Sequence, residues 1–342
     1  MKYDVITIGG ATEDINFYVD DYQILENKLN PSGNQLLAFD YGTKIDIKKV
    51  AMTFGGGAAN TAVSFAALGL KVAGMITYGN DERGKKIVAN LKKRKVDTGL
   101  MKRINHDISG FSFIVIGANK EHVAFSHRAA NSWLEISLSD QRALKQAPWL
   151  FVTSFSGSWE RDLDRIFAVV DGTKVAWNPG ELQLAAGYRA LARHFKKTTV
   201  LTMNKDEAIK LVVSHRDHSG KSYDFFAGTE NLLRAIHAWG PAIVVVTNGE
   251  HGAYAYDGKE LYFQEIIKPK RREDTTGLGD AFGSSFVTGL ILYKDIRQAL
   301  WLAAHNAAAC LSQQGAQNGL LSQRDLPRLA RLYAQRAKKK KR

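Results

Sequence analysis

The sequence predicts a three-layer α/β/α protein with a mostly parallel central sheet and a small β-sheet that projects from it as a lid. From about residue 138 onward, short apolar runs alternate with helical segments, which is typical of a parallel sheet covered on both faces. The N-terminal apolar run ends in Gly9-Gly10, as a first buried strand would. Strand-like segments with polar and apolar residues in alternation lie within about residues 14–50 and 108–128, and we assign these to the lid.

The elements of the first half follow the same logic. Residues 14–20 alternate apolar and polar side chains, which predicts a half-solvated strand. Gly55-Gly56-Gly57 opens a helix that ends at Gly69, and a buried strand at 72–77 precedes a basic helix. Short strands are also expected at 36–39, 111–116 and 122–125, the last two as a hairpin.

The second half supplies the rest of the central sheet. Apolar runs predict strands at 150–152, 174–177, 200–203 and 243–247, two further strands at 253–256 and 261–267, and then three helices. We expect residues 1–330 to form one domain and residues 331–342 to form a basic, disordered tail.

Composition and charge exclude several classes of function. The 342 residues are 45% hydrophobic and 24% charged, and no apolar run approaches the roughly 18 residues that a membrane span needs. The N-terminus lacks a signal-peptide pattern, which predicts a cytoplasmic protein. The net charge of +13 is concentrated at 92–95, 268–272 and 338–342. No aromatic residues alternate with these charges, so we interpret them as solvated surface rather than as a nucleic-acid site.

The segment from Asp274 to Asp280, Asp-Thr-Thr-Gly-Leu-Gly-Asp, carries the clearest chemical signal. Its glycines allow the backbone to approach a ligand, and the helix that follows presents unpaired N–H groups and the positive end of its dipole. This is an anion-binding arrangement. Asp280 would repel an anion, so it needs a separate role. A base that accepts the proton of a nucleophile during phosphoryl transfer explains its position.

Further motifs precede this segment in a fixed order. They are Gly9-Gly10 with Asp14, Gly55 to Asn60, Gly79-x-Asp81-x-x-Gly84, Asn204-x-x-Glu207 and Thr247-Asn248-Gly249-x-x-Gly252. Together with the Asp280 motif, this order resembles the ribokinase-like (PfkB) family of sugar and nucleoside kinases, from about Tyr3 to about Leu321. The resemblance implies a ribokinase-like fold for residues 1–330, use of ATP with Mg²⁺, and a homodimer formed through the lid.

The resemblance also implies roles for individual residues on the acceptor side. Asp280 would be the general base, and the N–H groups of Gly277, Leu278 and Gly279 would form an anion hole. Residues that match the family's substrate-binding positions are Asp14, Gly56, Gly57 and Asn60. A carboxylate and an amide suit vicinal hydroxyl groups.

On the nucleotide side, the resemblance implies that Thr247, Asn248, Gly249 and Gly252 contact the phosphates and ribose, and that Asn306 lies beside the adenine. Asn204 and Glu207 would organise Mg²⁺ and phosphate, with Glu207 acting through water. From sequence alone, this pair is equally well explained as a helix cap. Asp274 and Thr276 are candidates for a monovalent-cation loop that would bind K⁺.

The acceptor stays open at this point. The leading hypothesis is an ATP-dependent kinase that phosphorylates a hydroxymethyl group of a small sugar or nucleoside. The alternative is a noncatalytic sugar- or nucleotide-binding regulator on the same fold. Phe17, Phe39 and Phe113 would stack on a nucleobase or would form the core of the lid, and we favour the core.

Overall fold

The computed structural model describes residues 2–26, 35–117, 122–170, 172–269 and 271–340. The strands of this part are β1 (Val5–Gly9), β2 (Thr12–Tyr18), β3 (Gln23–Glu26), β4 (Gln35–Ala38), β5 (Lys49–Gly55), β6 (Val72–Gly79), β7 (Lys102–Ile104), β8 (Phe111–Ile116), β9 (His122–His127), β10 (Trp149–Val152), β11 (Lys174–Trp177), β12 (Val200–Asn204), β13 (Ile243–Thr247), β14 (Ala253–Tyr256) and β15 (Leu261–Gln264). The α-helices are α1 (Gly57–Ala67), α2 (Glu82–Lys93), α3 (Leu138–Leu144), α4 (Trp159–Phe167), α5 (Glu181–Phe195), α6 (Lys205–Val213), α7 (Tyr223–Ala227), α8 (Thr229–His237), α9 (Leu278–Tyr293), α10 (Ile296–Leu311) and α11 (Leu326–Lys340).

Within the described residues, the central sheet has nine strands in the order β15-β14-β13-β12-β11-β10-β1-β6-β7. From β13 to β7 all neighbours pair in parallel, and β14 and β15 extend the sheet in antiparallel fashion. Because the strands are parallel, the loops that follow β1, β12 and β13 meet at one edge, where ligands of such sheets bind.

Helices cover both faces of the central sheet because its strands are apolar on both sides. Alternate side chains of β1 show the pattern. Ile6 and Ile8 pack in one core with α3, α4, α5, α6 and α8, whereas Val5 packs in a second core with α1, α2, α9 and α10. The predicted three-layer arrangement is confirmed.

The small sheet has the order β5-β2-β8-β9, and β3 and β4 form a separate two-stranded ribbon. The predicted lid strands fall in these elements, except that 27–34 and 118–121 lie outside the described residues. The sequence did not predict β5 as a strand, because its apolar residues are flanked by Lys48 and Lys49 and followed by three glycines.

The C-terminal segment differs from its prediction. Residues 331–340, predicted as a disordered tail, continue helix α11. Ala, Leu, Arg and Lys are strong helix formers, and Leu329 anchors the helix against Leu68 and Leu302. Residues 341 and 342 lie outside the described part. Among the described helices, none is long and apolar enough to cross a membrane.

Candidate active site

The predicted anion hole lies at the start of α9. Gly277 precedes the helix with a φ of 75°, and a Cβ there would lie 2.3 Å from the Cβ of Ala316. Only glycine fits this conformation and this space. The N–H of Leu278 reaches the carbonyl oxygen of Thr275 at 3.5 Å, a weak contact, and a Cβ built at Gly279 would meet nothing within 4 Å. The helix start is therefore open to an approaching ligand.

Asp280 lies in the first turn of α9 and is half-buried. Burial raises its pKa to about 6, and the negative charge of Glu207 acts in the same direction. The side-chain amide of Asn60 opposes this rise by donating a hydrogen bond from Nδ2 to Oδ2 of Asp280 at 2.8 Å. A carboxylate with this pKa is ionised at neutral pH and has more affinity for a proton than an exposed aspartate has.

Asn60 lies in the first turn of α1. The glycines that precede this helix allow its start to pack against the loop after β1. Gly56 has a φ of 88°, and a Cβ there would lie 2.5 Å from the Cα of Ala11. Besides its bond to Asp280, Asn60 accepts a hydrogen bond at Oδ1 from Nε2 of Gln317 at 3.1 Å. The structure thus links Asn60 to the predicted base, and its contact with a substrate hydroxyl stays a prediction.

Asp14 projects from β2 and is almost completely buried, at 4% exposure. Burial raises its pKa, and hydrogen bonds from the hydroxyl groups of Thr12 and Ser112 oppose that rise. Its Oδ1 atom has no hydrogen-bond partner among the described residues. Gly55 makes room for the carboxylate, because a Cβ there would lie 2.1 Å from Oδ2 of Asp14. An unpartnered buried carboxylate oxygen is costly unless a ligand donates to it.

The two faces of the small sheet differ in chemistry. Strand register aligns Asp14 with Thr53, Ser112 and, across β8, Ser126, and these residues share one face. The opposite face is apolar and consists of Ile15, Phe17, Val50, Met52, Phe113, Val115, Val123 and Phe125. The rings of Phe17 and Phe113 stack on each other with centroids 5.7 Å apart. They therefore lie on the face opposite to Asp14.

Asn204 and Glu207 form a helix cap. Oδ1 of Asn204 accepts from the N–H of Glu207 at 2.8 Å, and Oε2 of Glu207 accepts from the N–H of Asn204 at 2.8 Å. This is the capping box that the sequence left open as an explanation. Burial raises the pKa of Glu207, and the charges of Glu181 and Asp206 add to this effect. The described residues contain no group of three or more His, Cys, Asp or Glu side chains that would hold a metal ion by themselves.

A cavity of about 360 Å³ lies on the other side of the α9 start. Predicted residues that line it are Thr247, Gly249, Gly252, Leu278 and Gly279. Its other walls come from the turn after β13, the start of β14, β15 and the loop that follows it, the first turns of α9 and one face of α10. These residues are Glu250, Ala253, Gln264, Glu265, Ile266, Ile267, Pro269, Arg272, Thr275, Phe282, Ala304, Ala307, Ala308 and Leu311. The cavity is mostly apolar, as small-molecule pockets generally are.

The loop after β13 forms the polar end of this cavity. Gly249 and Gly252 have φ values of 50° and 86°, and the N–H of Asn248 donates to the carbonyl oxygen of Gly252 at 2.8 Å. The structure therefore uses the backbone of Asn248 to close the turn.

Comparisons with known proteins agree with this geometry. The model of the pfkB family of carbohydrate kinases matches residues 28–323. The chain belongs to the pfkB carbohydrate kinase family. It is 26% identical to a ribokinase of Haemophilus influenzae over 278 residues, which is 79% of this chain and 84% of that protein. It is 23% identical to a 5-dehydro-2-deoxygluconokinase of Bacillus subtilis over 337 residues, or 96% and 95% of the two chains.

Solved structures with the same fold include ribokinases. The Arabidopsis thaliana ribokinase, solved with ribose and ATP, has a TM-score of 0.77 and 20% identity and covers 96% of this chain and 99% of its own. The Thermotoga maritima ribokinase has a TM-score of 0.78 and 22% identity, with the same coverage of both chains. The predicted family and fold are thus confirmed.

Asn306, predicted to lie beside the adenine, is bonded inside the protein in this structure. Asn306 is fully buried and does not line the cavity. Its Nδ2 donates to the hydroxyl groups of Ser285 at 2.6 Å and Ser64 at 3.1 Å, and its Oδ1 accepts from the N–H of Leu321 at 2.7 Å. The structure thus gives Asn306 buried protein partners, and its place beside the adenine stays a prediction. Ala304, Ala307, Ala308 and Leu311, at helical spacing, form the face of α10 that lines the cavity.

The carboxylate of Asp274 makes different contacts from that of Asp280. Its Oδ1 accepts from the N–H of Thr276 at 2.8 Å, and its Oδ2 accepts from the N–H of Gly315 at 2.8 Å. These bonds tie the anion-hole loop to the segment that follows α10. The hydroxyl of Thr276 is buried and has no hydrogen-bond partner in the part of the chain that the structure describes.

Proposed function

We propose that this family member transfers the terminal phosphoryl group of ATP to a hydroxymethyl group of a small sugar, with Asp280 as general base. The observation that carries the proposal is the carboxylate of Asp280, which lies in the first turn of α9 beside the predicted anion hole and accepts a hydrogen bond from Asn60. Its pKa of about 6 suits a group that must be ionised at rest and must accept a proton as the new P–O bond forms.

The start of α9 would supply the electrostatic part of catalysis. The N–H groups of Gly277, Leu278 and Gly279 lie at the positive end of the helix dipole, where they would donate to the oxygens of the transferred group. ATP would occupy the apolar cavity with its phosphates towards this helix start. Arg272, which lines the cavity, adds positive charge there.

On the acceptor side, Asp14 would hold sugar hydroxyl groups. Its Oδ1 lacks a hydrogen-bond partner in the described structure, and a hydroxyl that donates to it would satisfy this buried atom. A sugar bound in this way would direct its acceptor hydroxyl towards Asp280. Asn60, which donates a hydrogen bond to Asp280, follows the glycine-rich loop that also packs against Asp14. The predicted contacts of Gly56 and Gly57 with substrate would come from the same loop.

The lid favours a sugar over a nucleoside. Of the three aromatic residues that would stack on a nucleobase, Phe17 and Phe113 lie on the apolar face of the small sheet, and Phe39 follows β4 in the separate ribbon. The residues level with Asp14 on its own face are Thr53, Ser112 and Ser126. Hydroxyl groups and a carboxylate at one level of the sheet suit a polyhydroxylated acceptor.

Magnesium fits this site as an ion bound mainly through substrate. Glu207 is the acidic side chain that raises the pKa of Asp280, so it lies close enough to contribute charge to an ion beside the phosphates. Mg²⁺ usually keeps waters and binds through one or two carboxylates plus substrate phosphates. Bound there, the ion would neutralise negative charge on the phosphates. Asp274 and the unpartnered hydroxyl of Thr276 would hold K⁺.

A panel assay tests the proposed function. ADP release would be measured with ribose, fructose, 2-keto-3-deoxygluconate, adenosine, cytidine and inosine as acceptors. We expect turnover with a sugar and little or none with the nucleosides. Saturable binding of a sugar without ADP release from any acceptor would instead support a noncatalytic regulator, and preference for a nucleoside would refute the sugar assignment.

The apolar face of the small sheet also supports the predicted homodimer. Val50, Met52 and Phe125 on this face are 50%, 63% and 61% exposed, which is unusual for a contiguous apolar surface of a monomer. We expect sedimentation equilibrium to show a dimer that Met52→Lys converts to a monomer. A wild-type protein that is monomeric at micromolar concentration would contradict this.

A further inference from the structure

Three consecutive residues after α10 contact the predicted catalytic elements at once. The N–H of Gly315 donates to Asp274, and Ala316 packs so closely on Gly277 that a Cβ there would lie 2.3 Å away. The side chain of Gln317 donates from Nε2 to Oδ1 of Asn60 at 3.1 Å. This segment therefore touches the anion-hole loop at two points and the partner of Asp280 at a third.

Gln317 is the middle member of a directed chain of amides. Nδ2 of Asn90 donates to Oε1 of Gln317 at 2.7 Å, Nε2 of Gln317 donates to Oδ1 of Asn60, and Nδ2 of Asn60 donates to Asp280 at 2.8 Å. An ionised carboxylate only accepts hydrogen bonds, so the chain has one favourable direction. If the Asn60 amide were rotated by half a turn, its oxygen would face the carboxylate, and neither group could donate a hydrogen bond to the other.

Burial makes this orientation depend on Gln317. The side chains of Gln317 and Asn60 are 4% and 5% exposed, so bulk water has little access to either. Without the Gln317 donor, Oδ1 of Asn60 would be left unsatisfied at a buried position, which is costly. Turning the amide over to find another partner would then remove the hydrogen bond to Asp280.

We propose that Gln317 is a positioning residue that holds the Asn60 amide in the orientation that donates to Asp280. This inference rests on the proposed role of Asp280 as the base. Gln317 itself contacts no reacting group, and it acts through Asn60. Asn90 of α2 donates a hydrogen bond to the oxygen of Gln317. The network that positions the base therefore begins on α2.

The charges around Asp280 give the expected sign of a pH effect. Burial and the charge of Glu207 raise its pKa, and the Asn60 hydrogen bond lowers it. The nearby thiol of Cys310 stays neutral, because burial together with the charges of Asp274 and Asp280 raises its pKa to about 12. Loss of Gln317 weakens the Asn60 hydrogen bond, so the pKa of Asp280 should rise. The base would then stay protonated up to a higher pH. As the pH is lowered, turnover would therefore begin to fall at a higher pH than in the wild type.

The test uses Gln317→Met, which keeps the volume, and Gln317→Glu, which keeps the shape but cannot donate when ionised. For both variants we expect kcat to fall roughly tenfold in mildly acidic buffer and less in mildly alkaline buffer, with the acidic limb of the kcat profile moved to higher pH. KM for ATP and sugar should stay nearly unchanged. Asn318→Ala serves as the matched control, because Asn318 is bonded in the same segment to Arg94 and Gln314 but not to Asn60.

A double-mutant cycle completes the test. If Gln317 acts through Asn60, Gln317→Met should change kcat little in an Asn60→Ala background. Additive losses, an acidic limb that does not move in either Gln317 variant, or an equal shift in Asn318→Ala would overturn the inference. An inactive Asp280→Asn with a normal Gln317→Met would refute only this inference, whereas a fully active Asp280→Asn would refute the proposed function.

Discussion

The proposed acceptor side and the proposed nucleotide side of the site differ in chemistry. The acceptor side presents buried polar side chains, of which Asp14 and Asn60 are 4% and 5% exposed. The nucleotide side is a mostly apolar cavity of about 360 Å³ whose polar end is formed by backbone around Gly249 and Gly252. If the proposed function is right, specificity for hydroxyl groups would depend on individual side chains, whereas nucleotide binding would depend on the shape of the cavity and on the start of a helix.

This difference predicts how substitutions on the two sides should act. Removing a polar group from the acceptor side leaves a buried partner unsatisfied and should be severe. Changing one apolar wall of the cavity alters its volume and should be moderate. Asp280 acts in the proposed chemical step rather than in binding. Its loss should therefore lower turnover without much weakening the binding of either ligand.

The largest effect is expected for Asp280→Asn. Loss of a general base should lower kcat by roughly 10²- to 10⁴-fold, because the acceptor hydroxyl then has no group to take its proton. Steady-state kinetics and calorimetric titration would measure kcat and the two dissociation constants. A variant whose kcat falls only because ATP no longer binds would show that Asp280 belongs to the nucleotide side.

The next largest effect is expected for Asp14→Ala. We expect kcat/KM for the sugar to fall roughly a hundredfold, because hydrogen bonds to a charged group are lost. The dissociation constant for ATP should not change. Ser126→Ala, on the same face of the sheet but two strands away across it, serves as the control and should be mild. Equal losses in both variants would show that the whole face, and not Asp14, selects the acceptor.

A moderate effect is expected for Ala308→Leu. The larger side chain would enter the cavity from α10 and should raise KM for ATP roughly tenfold, with KM for the sugar unchanged. The internal comparison of the two KM values separates a local effect from a general loss of structure. An unchanged KM for ATP would place the nucleotide outside this cavity.

The smallest effect on activity is expected for Asn306→Ala. Because Ser64, Ser285 and Leu321 lose their buried partner, the free energy of unfolding should fall by about 1–3 kcal/mol in urea titration. KM for ATP should stay the same in the folded protein. A higher KM for ATP with normal stability would support the predicted place of Asn306 at the nucleotide site.

The same contrast explains what the sequence could predict. Asp280 was identifiable from local sequence, because a carboxylate beside a glycine turn and a helix start needs a separate role. Asp14 and Asn60 have no such local signal and were identified only through the ordered motifs that resemble the family. The small-sheet strand β5 was missed because its alternation is interrupted by lysines and glycines. Its pairing with β2 across many residues outweighs these weak local signals.

The walls of the cavity were much harder to predict. Helix α10 contains so many alanines that neither face is marked by hydrophobicity, and the assignment of Asn306 depended on the family resemblance alone. The packing of three helices determines the contacts of the Asn306 side chain, because Ser64 of α1 and Ser285 of α9 accept its hydrogen bonds inside the protein. The link from Gln317 to Asn60 spans 257 positions of sequence and has no local pattern that would reveal it.

The pH dependence of phosphoryl transfer in wild type and in Asp280→Asn tests the central claim most directly. Under single-turnover conditions with both substrates saturating, the wild-type rate should fall as the pH decreases through about 6, since Asp280 must be ionised to accept the proton. In Asp280→Asn the remaining rate should be low and should lack this acidic limb. An acidic limb that persists unchanged in Asp280→Asn would contradict the assignment of Asp280 as the base.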